Sequence, residues 1–193
     1  MSIIVDWEIR ALCKGSEPLL SPFAESTRGD GIISYGLTHA GYDLRLGDEL
    51  WIFKSTKGKA INPKKFLKED LTDAVKPETI DGYPNIFVLP PESYALGYSV
   101  ERFIMPRFIK ARCLGKSTLA RSGLIVNTTP LEPGWTGHLT IELYNATHSP
   151  IYLFAGEGIA QVEFDKLVWA PEAGYEGKKY QDQKGSPVAA IAG

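Results

Sequence analysis

The sequence predicts an all-β barrel or sandwich. Three observations carry this: short strand-like runs recur along the chain, Gly and Pro punctuate them at close intervals, and helical patterning is confined to a few short pieces. At 193 residues with 44% apolar composition, the chain is long enough to bury its own core, and residues 1–193 are expected to form a single domain.

In chain order, Asp6 to Leu12 followed by Gly15 predicts a short helix with an Asp6 cap and a Gly stop. Residues 19–31 are mostly Pro, Ser, Gly and charges, and predict a loop with short edge pairing. SYGLTHAGYDLRLGDELWIF, residues 34–53, then alternates apolar and polar positions and predicts two paired strands turning at Gly47-Asp48. Residues 54–82, Lys-rich and holding Pro63 and Pro77, form an excursion with one helical turn around Phe66 to Asp70. Strands are expected at Asn85–Leu89, Tyr94–Val100, Ile109–Leu114, Leu124–Asn127, His138–Tyr144, Ile151–Phe154 and Ala160–Phe164. From about residue 172 the chain is rich in Gly, Lys and Gln, so it cannot order itself by burial. The plainer reading is a disordered end, although Tyr175, Lys179, Tyr180 and Gln183 also suit a segment closing over a nucleotide.

A formal net charge of -2 provides no global field to gather nucleic acid or an anionic membrane, so neither is expected as a partner. Two cysteines, Cys13 and Cys113, lie far apart in sequence, with no Cys or His at metal-ligand spacing, which favours a reducing, cytoplasmic setting. MSIIVDWEIR lacks a basic start followed by a long apolar run, and no apolar window approaches the roughly 20 residues needed to cross a bilayer.

Polar chemistry concentrates between Gly115 and Asn145. Gly115-Lys116-Ser117-Thr118 resembles the end of a P-loop, but Lys110 stands where the earlier Gly would fall, so a Walker A nucleotidase is not supported. A Gly turn opening a helical piece from Ser117 to Ser122 still offers backbone N–H groups, two hydroxyls, Lys116 and Arg121 to an anion; an ordinary capped helix with solvated charges is the alternative. In HLTIELYN, Leu139, Ile141 and Leu143 share one strand face, and His138, Thr140, Glu142 and Tyr144 the other. Glu142 is either a solvated strand carboxylate or, if that second face lines an enclosed site, a desolvated proton carrier. Trp135 is a rigid wall for a base or a core aromatic at a turn. His39, His138 and His148 are scattered, and no H-x-E with a downstream P-C-x-x-C occurs, so a zinc nucleobase deaminase is not indicated.

Taken together, SYGLTHAGYDLRLG, GKSTLARSGLIVNTTPLEPGWTGHLTIELYN, GEGIAQVEF and KKYQDQKG resemble the dCTP deaminases of the dUTPase-like trimeric superfamily, over Trp7 to about Gly185. The resemblance implies a mainly β, distorted barrel with a few short helices, assembled as a homotrimer with active sites between subunits and a flexible C-terminal lid at about 172–193. It implies hydrolytic deamination of dCTP to dUTP and ammonia, feeding dUMP and dTTP synthesis. Mg²⁺ would arrive with the triphosphate, no zinc or other protein-bound metal would be used, and dTTP would act as feedback inhibitor. By match, Glu142 is the proton shuttle, and Ser117 and Arg121 help hold the water and the Glu charge. The segment Lys116, Ser117, Thr118, Leu119, Ala120 and Arg121 contacts the nucleotide. Thr140 and Ile141 flank base and sugar beside Glu142, Gln161 is a further ligand contact, and Tyr175, Lys179 and Gln183 close over the triphosphate.

The sequence departs from that pattern in two places: Lys116 stands where many members carry Arg, and the tail between Tyr175 and Lys179 is shorter. The competing activity is a dUTPase, whose loop Asp and tail Arg are missing here. A bifunctional deaminase giving dUMP is a further alternative, with Glu132 near the position of that loop acid. A non-catalytic nucleotide sensor would be expected to lack Glu142 or Ser117, and both are present.

Overall fold

The structure is a computed structural model describing residues 2–191; Met1 and the last two residues of the expected tail, 192–193, lie outside the described residues. The chain runs β1 (Ser2–Ile3), α1 (Asp6–Leu12), β2 (Leu20–Ser21), β3 (Gly36–Thr38), β4 (Gly41–Arg45), β5 (Leu50–Phe53), α2 (Lys68–Leu71), β6 (Thr72–Val75), β7 (Glu78–Ile80) and β8 (Tyr83–Leu89). It continues through β9 (Tyr94–Ile104), β10 (Ile109–Gly115), α3 (Ser117–Arg121), β11 (Leu124–Asn127), β12 (Thr136–Asn145), β13 (Ile151–Phe154) and β14 (Gly158–Lys166). The fold is mainly β with short helices, as the sequence predicts.

Three sheets surround one core. One has the order β1-β14-β4-β3 with β10 also on β14, the second is β11-β12-β9-β5-β6 with β2 on β9, and the third is β13-β8-β7. Among the described residues the sheets stay distinct and do not join into one hydrogen-bonded ring. Their inner faces bring together Leu44, Leu46, Phe103, Ile141, Leu143, Val162 and Phe164, all fully buried. Burying such side chains contributes roughly 1.5–3 kcal/mol each. Among the described residues the most deeply buried carboxylate is Glu101, held by the Arg45 Nε at 2.7 Å and the Arg45 backbone N–H at 3.0 Å. A charge so placed is tolerable only while paired.

Three expectations are corrected. Residues around Gly47-Asp48 do not close a hairpin: β4 pairs with β3 and β14, whereas β5 pairs with β6 and β9. The chain changes sheets there because the Gly47 N–H donates to Tyr98 O at 2.8 Å, and its backbone lies so close under the Tyr98 ring that a Cβ would collide. The excursion at 54–82 also contains β6 and β7, whose mixed, largely exposed residues hide the period of two. Finally, α1 is capped by Val5, whose carbonyl accepts from Glu8 and Ile9; Asp6 is already in the first turn, where its charge suits the helix dipole.

Candidate active site

Strand β12 presents the alternation that its sequence implies. Gly137, Leu139, Ile141, Leu143 and Asn145 are buried, while Thr136, His138, Thr140, Glu142 and Tyr144 are half-buried on the opposite face. That second face is covered by protein. Glu142 lies between Leu96 on β9 and Asn127 on β11 in the strand register, and it lines a cavity of about 530 Å³. Phe53, Phe66, Tyr94, Leu131, Leu139 and Trp135 supply most of the apolar wall, and Thr140, Tyr175 and Gln183 join Glu142 as polar lining. Phe53 packs edge-on against both Tyr94, at 5.2 Å between centroids, and Phe66, at 5.8 Å, which fixes that side of the cavity.

Desolvation by this lining pushes the Glu142 carboxyl up to about 7, while its own backbone amide and the Asn127 side chain, whose Nδ2 donates to Oε2 at 3.3 Å, pull the other way. The group is therefore populated in both protonation states near neutral pH, which suits an acceptor that later donates.

The tail closes the other side of the cavity. Among the described residues no helix or strand forms after Lys166, yet the segment is pinned along β12 and the loop that precedes it. Tyr175 N donates to Pro133 O at 2.8 Å, Trp135 Nε1 to Tyr180 O at 2.8 Å, Asp182 N to Thr136 O at 2.8 Å and His138 N to Gln183 O at 3.0 Å. Residues that could not order themselves by burial thus borrow the polar edge of β12. Gly137, at φ +137, makes room for this approach, because a Cβ there would lie 2.6 Å from Gln183 N.

The residues singled out in the sequence separate into two groups. Glu142, Thr140, Gln183, Tyr175 and Trp135 meet at the cavity, and Trp135 both lines it and packs into the core. Ile141 is on the same strand, with its side chain in the core. By contrast, Ser117, Thr118, Ala120 and Arg121 are exposed on α3 and do not line the cavity, while Leu119 is buried in the core. Lys116 turns inward, where its Nζ pairs with Asp43 and reaches Ser34 Oγ at 3.1 Å. Gln161 is half-buried on β14, in register with Asp43. Lys179 donates to Ile191 O at 2.8 Å and lines a second cavity of about 810 Å³ with Lys110, Lys178, Glu132 and Tyr175. Glu132 lines both cavities and pairs with Lys110 at 3.1 Å.

Sequence reasoning missed Asn127, which only the β11–β12 register brings opposite Glu142. It also missed the aromatic wall. Phe66, a lone aromatic in a Lys-rich excursion, was the available signal, since a large apolar side chain in such a segment needs somewhere to go.

Among the described residues no three His, Cys, Asp or Glu side chains converge as a metal-holding set, and no helix is long and apolar enough to cross a membrane. Cys13 and Cys113 are both unpaired in the structure.

A mainly β scaffold that encloses a desolvated carboxyl in a cavity with aromatic walls has the apolar lining and perturbed titratable group by which ligand and active sites are recognised. A family model described as dCTP deaminase-like matches residues 3–167. The dCTP deaminase of Campylobacter hominis is 44% identical over 175 residues, covering 90% of this chain and 88% of that protein. That of Granulibacter bethesdensis is 42% identical over 187 residues, covering 96% and 97%. The chain belongs to the dCTP deaminase-like family. Its fold is also similar to that of the 2'-deoxycytidine 5'-triphosphate deaminase from Agrobacterium tumefaciens, with TM-score 0.62 and 22% identity, covering 84% of this chain but 47% of that one. The chain thus spans about half the length of that protein.

Proposed function

We propose that this protein hydrolytically deaminates dCTP to dUTP and ammonia, with Glu142 carrying the protons. The observation that supports it best is the Glu142 carboxyl, raised to about 7 in a cavity walled by aromatic side chains. In this reaction the ionised carboxylate takes a proton from water as its oxygen adds to C4 of cytosine, and the same proton passes to N3. The carboxylate then accepts the remaining proton of the added hydroxyl and delivers it to the exocyclic nitrogen, which leaves as ammonia. Glu142 ends ionised, and the balance is dCTP plus water to dUTP plus ammonia.

A homotrimer in which a neighbouring copy brings α3 to Glu142 would give Ser117 and Arg121, exposed and outside the cavity of their own chain, a place in the site. Mg²⁺ would be held by the triphosphate oxygens, since the chain offers no three-carboxylate cage among the described residues. The carboxylate, in place of zinc, activates the water in this mechanism, so a zinc-selective chelator with Mg²⁺ in excess should leave turnover unchanged. The end product dTTP is proposed as a competing ligand of the same cavity.

Incubating the protein with dCTP and Mg²⁺ and separating the products tests the proposal. The expected products are dUTP and ammonia; dCTP left unchanged, with dUTP hydrolysed in a parallel incubation, would overturn it. A second reading, deamination followed by cleavage to dUMP, is favoured by Glu132, a second carboxylate lining the same cavity, and predicts dUMP and pyrophosphate from dCTP.

A further inference from the structure

The first half of the excursion after β5 has a charge pattern that neither the core nor the proton transfer uses. Between Lys54 and Lys68 there are six lysines and no Asp or Glu, in a chain whose formal net charge is -2. Two of the six are engaged: Lys54 pairs with Asp73 at 3.0 Å, and Lys68 Nζ sits 3.6 Å from the centroid of the Trp51 ring. Lys57, Lys59, Lys64 and Lys65 are exposed and, among the described residues, pair with no carboxylate. Glu69 and Asp70, the nearest acids in sequence, lie beyond Phe66 on α2.

The loop is closed at its base by the cavity wall. Phe53 before it and Phe66 after it meet at 5.8 Å between ring centroids, and both line the Glu142 cavity. At the far end, Thr56 Oγ1 donates to Lys59 O at 2.6 Å and Lys59 N to Thr56 O at 3.2 Å, so the chain turns tightly there. With a reach of at most about 3.6 Å per residue, the Cα atoms of Lys64 and Lys65 lie within about 8 Å of that of Phe66, and those of Lys57 and Lys59 within about 22 Å of that of Phe53. Four unpaired positive charges are thereby tethered beside an apolar opening.

We infer that the Lys57–Lys65 loop is an electrostatic collector that draws the polyphosphate of the nucleotide toward the Glu142 cavity before it binds. This role rests on the deaminase reading above and deepens it, since a ligand rich in negative charge is what such a loop attracts. Charges of one sign beside low-dielectric walls focus their field into a cleft and raise the association rate of an oppositely charged ligand. Removing these four charges would take the chain from -2 to -6, a balance that repels a triphosphate. The lysines act at a distance, so they govern capture and leave the chemical step alone. Salt sets how far they reach: the screening length is about 30 Å at 0.01 M, which spans the whole loop, about 8 Å at 0.15 M, which spans Lys64 and Lys65, and about 3 Å at 1 M, which spans none.

The test measures the association rate constant of dCTP with Mg²⁺ by stopped-flow tryptophan fluorescence, Trp135 lining the cavity, from about 0.01 to about 1 M ionic strength. With Lys57, Lys59, Lys64 and Lys65 all changed to Gln, association should slow about tenfold at the low end and come within about twofold of the parent at the high end, with kcat unaltered. At about 0.15 M, Lys64→Gln with Lys65→Gln should account for most of the loss. Changing all four to Arg keeps the charge and should match the parent at every salt concentration, which a role for the lysines in contacts or in local folding would not require. Association equal to the parent's at about 0.01 M, or a deficit as large at about 1 M, overturns the collector alone. So does a single-stranded oligonucleotide that binds the parent and not the Gln variant while dCTP association is unchanged. A parent protein that neither binds nor converts dCTP overturns the deaminase reading and the collector with it.

Discussion

Asn127 and Glu142 face each other across the β11–β12 pair, and the Asn127 amide nitrogen donates to Glu142 Oε2 at 3.3 Å. The bond stabilises the ionised carboxyl, so it partly offsets the upward push of burial. Asn127→Ala removes the offset and leaves the desolvation in place. Since Glu142 must be ionised to accept a proton from water, kcat/KM is expected to fall on the acid side of about pH 7, and the variant should move that limb to higher pH. Turnover near pH 6 should therefore suffer more than turnover near about pH 8.5. A pH–rate profile with an unmoved acid limb would separate Asn127 from the titration of Glu142.

The raised Glu142 pKa also has a sign in stability. Between about pH 4.5 and about 7 the unfolded chain has lost this proton while the folded chain keeps it, so on this group's account stability declines as pH rises through that window. Glu142→Gln cannot ionise and escapes the decline. The variant should therefore unfold at a higher temperature than the parent at about pH 8, and the gap should shrink toward zero below about pH 4.5, where the carboxyl is neutral in both states. The same variant is expected to lose deamination while retaining dCTP binding, so function and stability oppose one another at this position. A thermal shift that is flat with pH would refute the desolvated state of the carboxyl.

Gly137 offers a way to disturb the tail without touching Glu142. Its φ of +137 disfavours any other residue, and an added Cβ would meet the Gln183 backbone at 2.6 Å. Gly137→Ala should lift the tail from β12, raise KM for dCTP, and expose Lys178, Lys179 and Lys184 to trypsin at rates above the parent's. Unchanged tryptic cleavage and KM would mean that the tail does not depend on this approach.

Most strands could be read in the sequence because one face is buried, and burial imposes a period of two; Leu124–Asn127 and Ile151–Phe154 match to the residue. The same pattern marked the face that carries Glu142 but not whether protein covers it. That depends on Phe53, Phe66, Tyr94 and the tail, which come from distant parts of the chain and meet through sheet pairings that periodicity does not encode. β6 and β7 were hidden because neither has a consistently buried face. The paired strands expected at Gly47-Asp48 had the right turn residues for a hairpin, yet the Gly serves close approach to Tyr98 instead. Asn127 carries no motif; it matters because register sets it beside a carboxyl.

Arg121 and Glu142 provide the last prediction. Arg121 is exposed on α3, makes no ion pair among the described residues, and does not line the Glu142 cavity of its own chain. If a neighbouring copy brings α3 to that cavity, each site is built from Glu142 of one chain and Arg121 of another. Two inactive variants should then repair one another. Glu142→Gln and Arg121→Met, each purified as an inactive protein, would on dissociation and random reassembly at equal concentration form about a quarter of sites with both native residues, since each site draws its two halves from independent chains. Activity should return to about a quarter of the parent's per site, with the KM of the parent, because the restored sites are chemically native. Sites contained within one chain predict no recovery at any mixing ratio, because every chain would still lack one of its two groups.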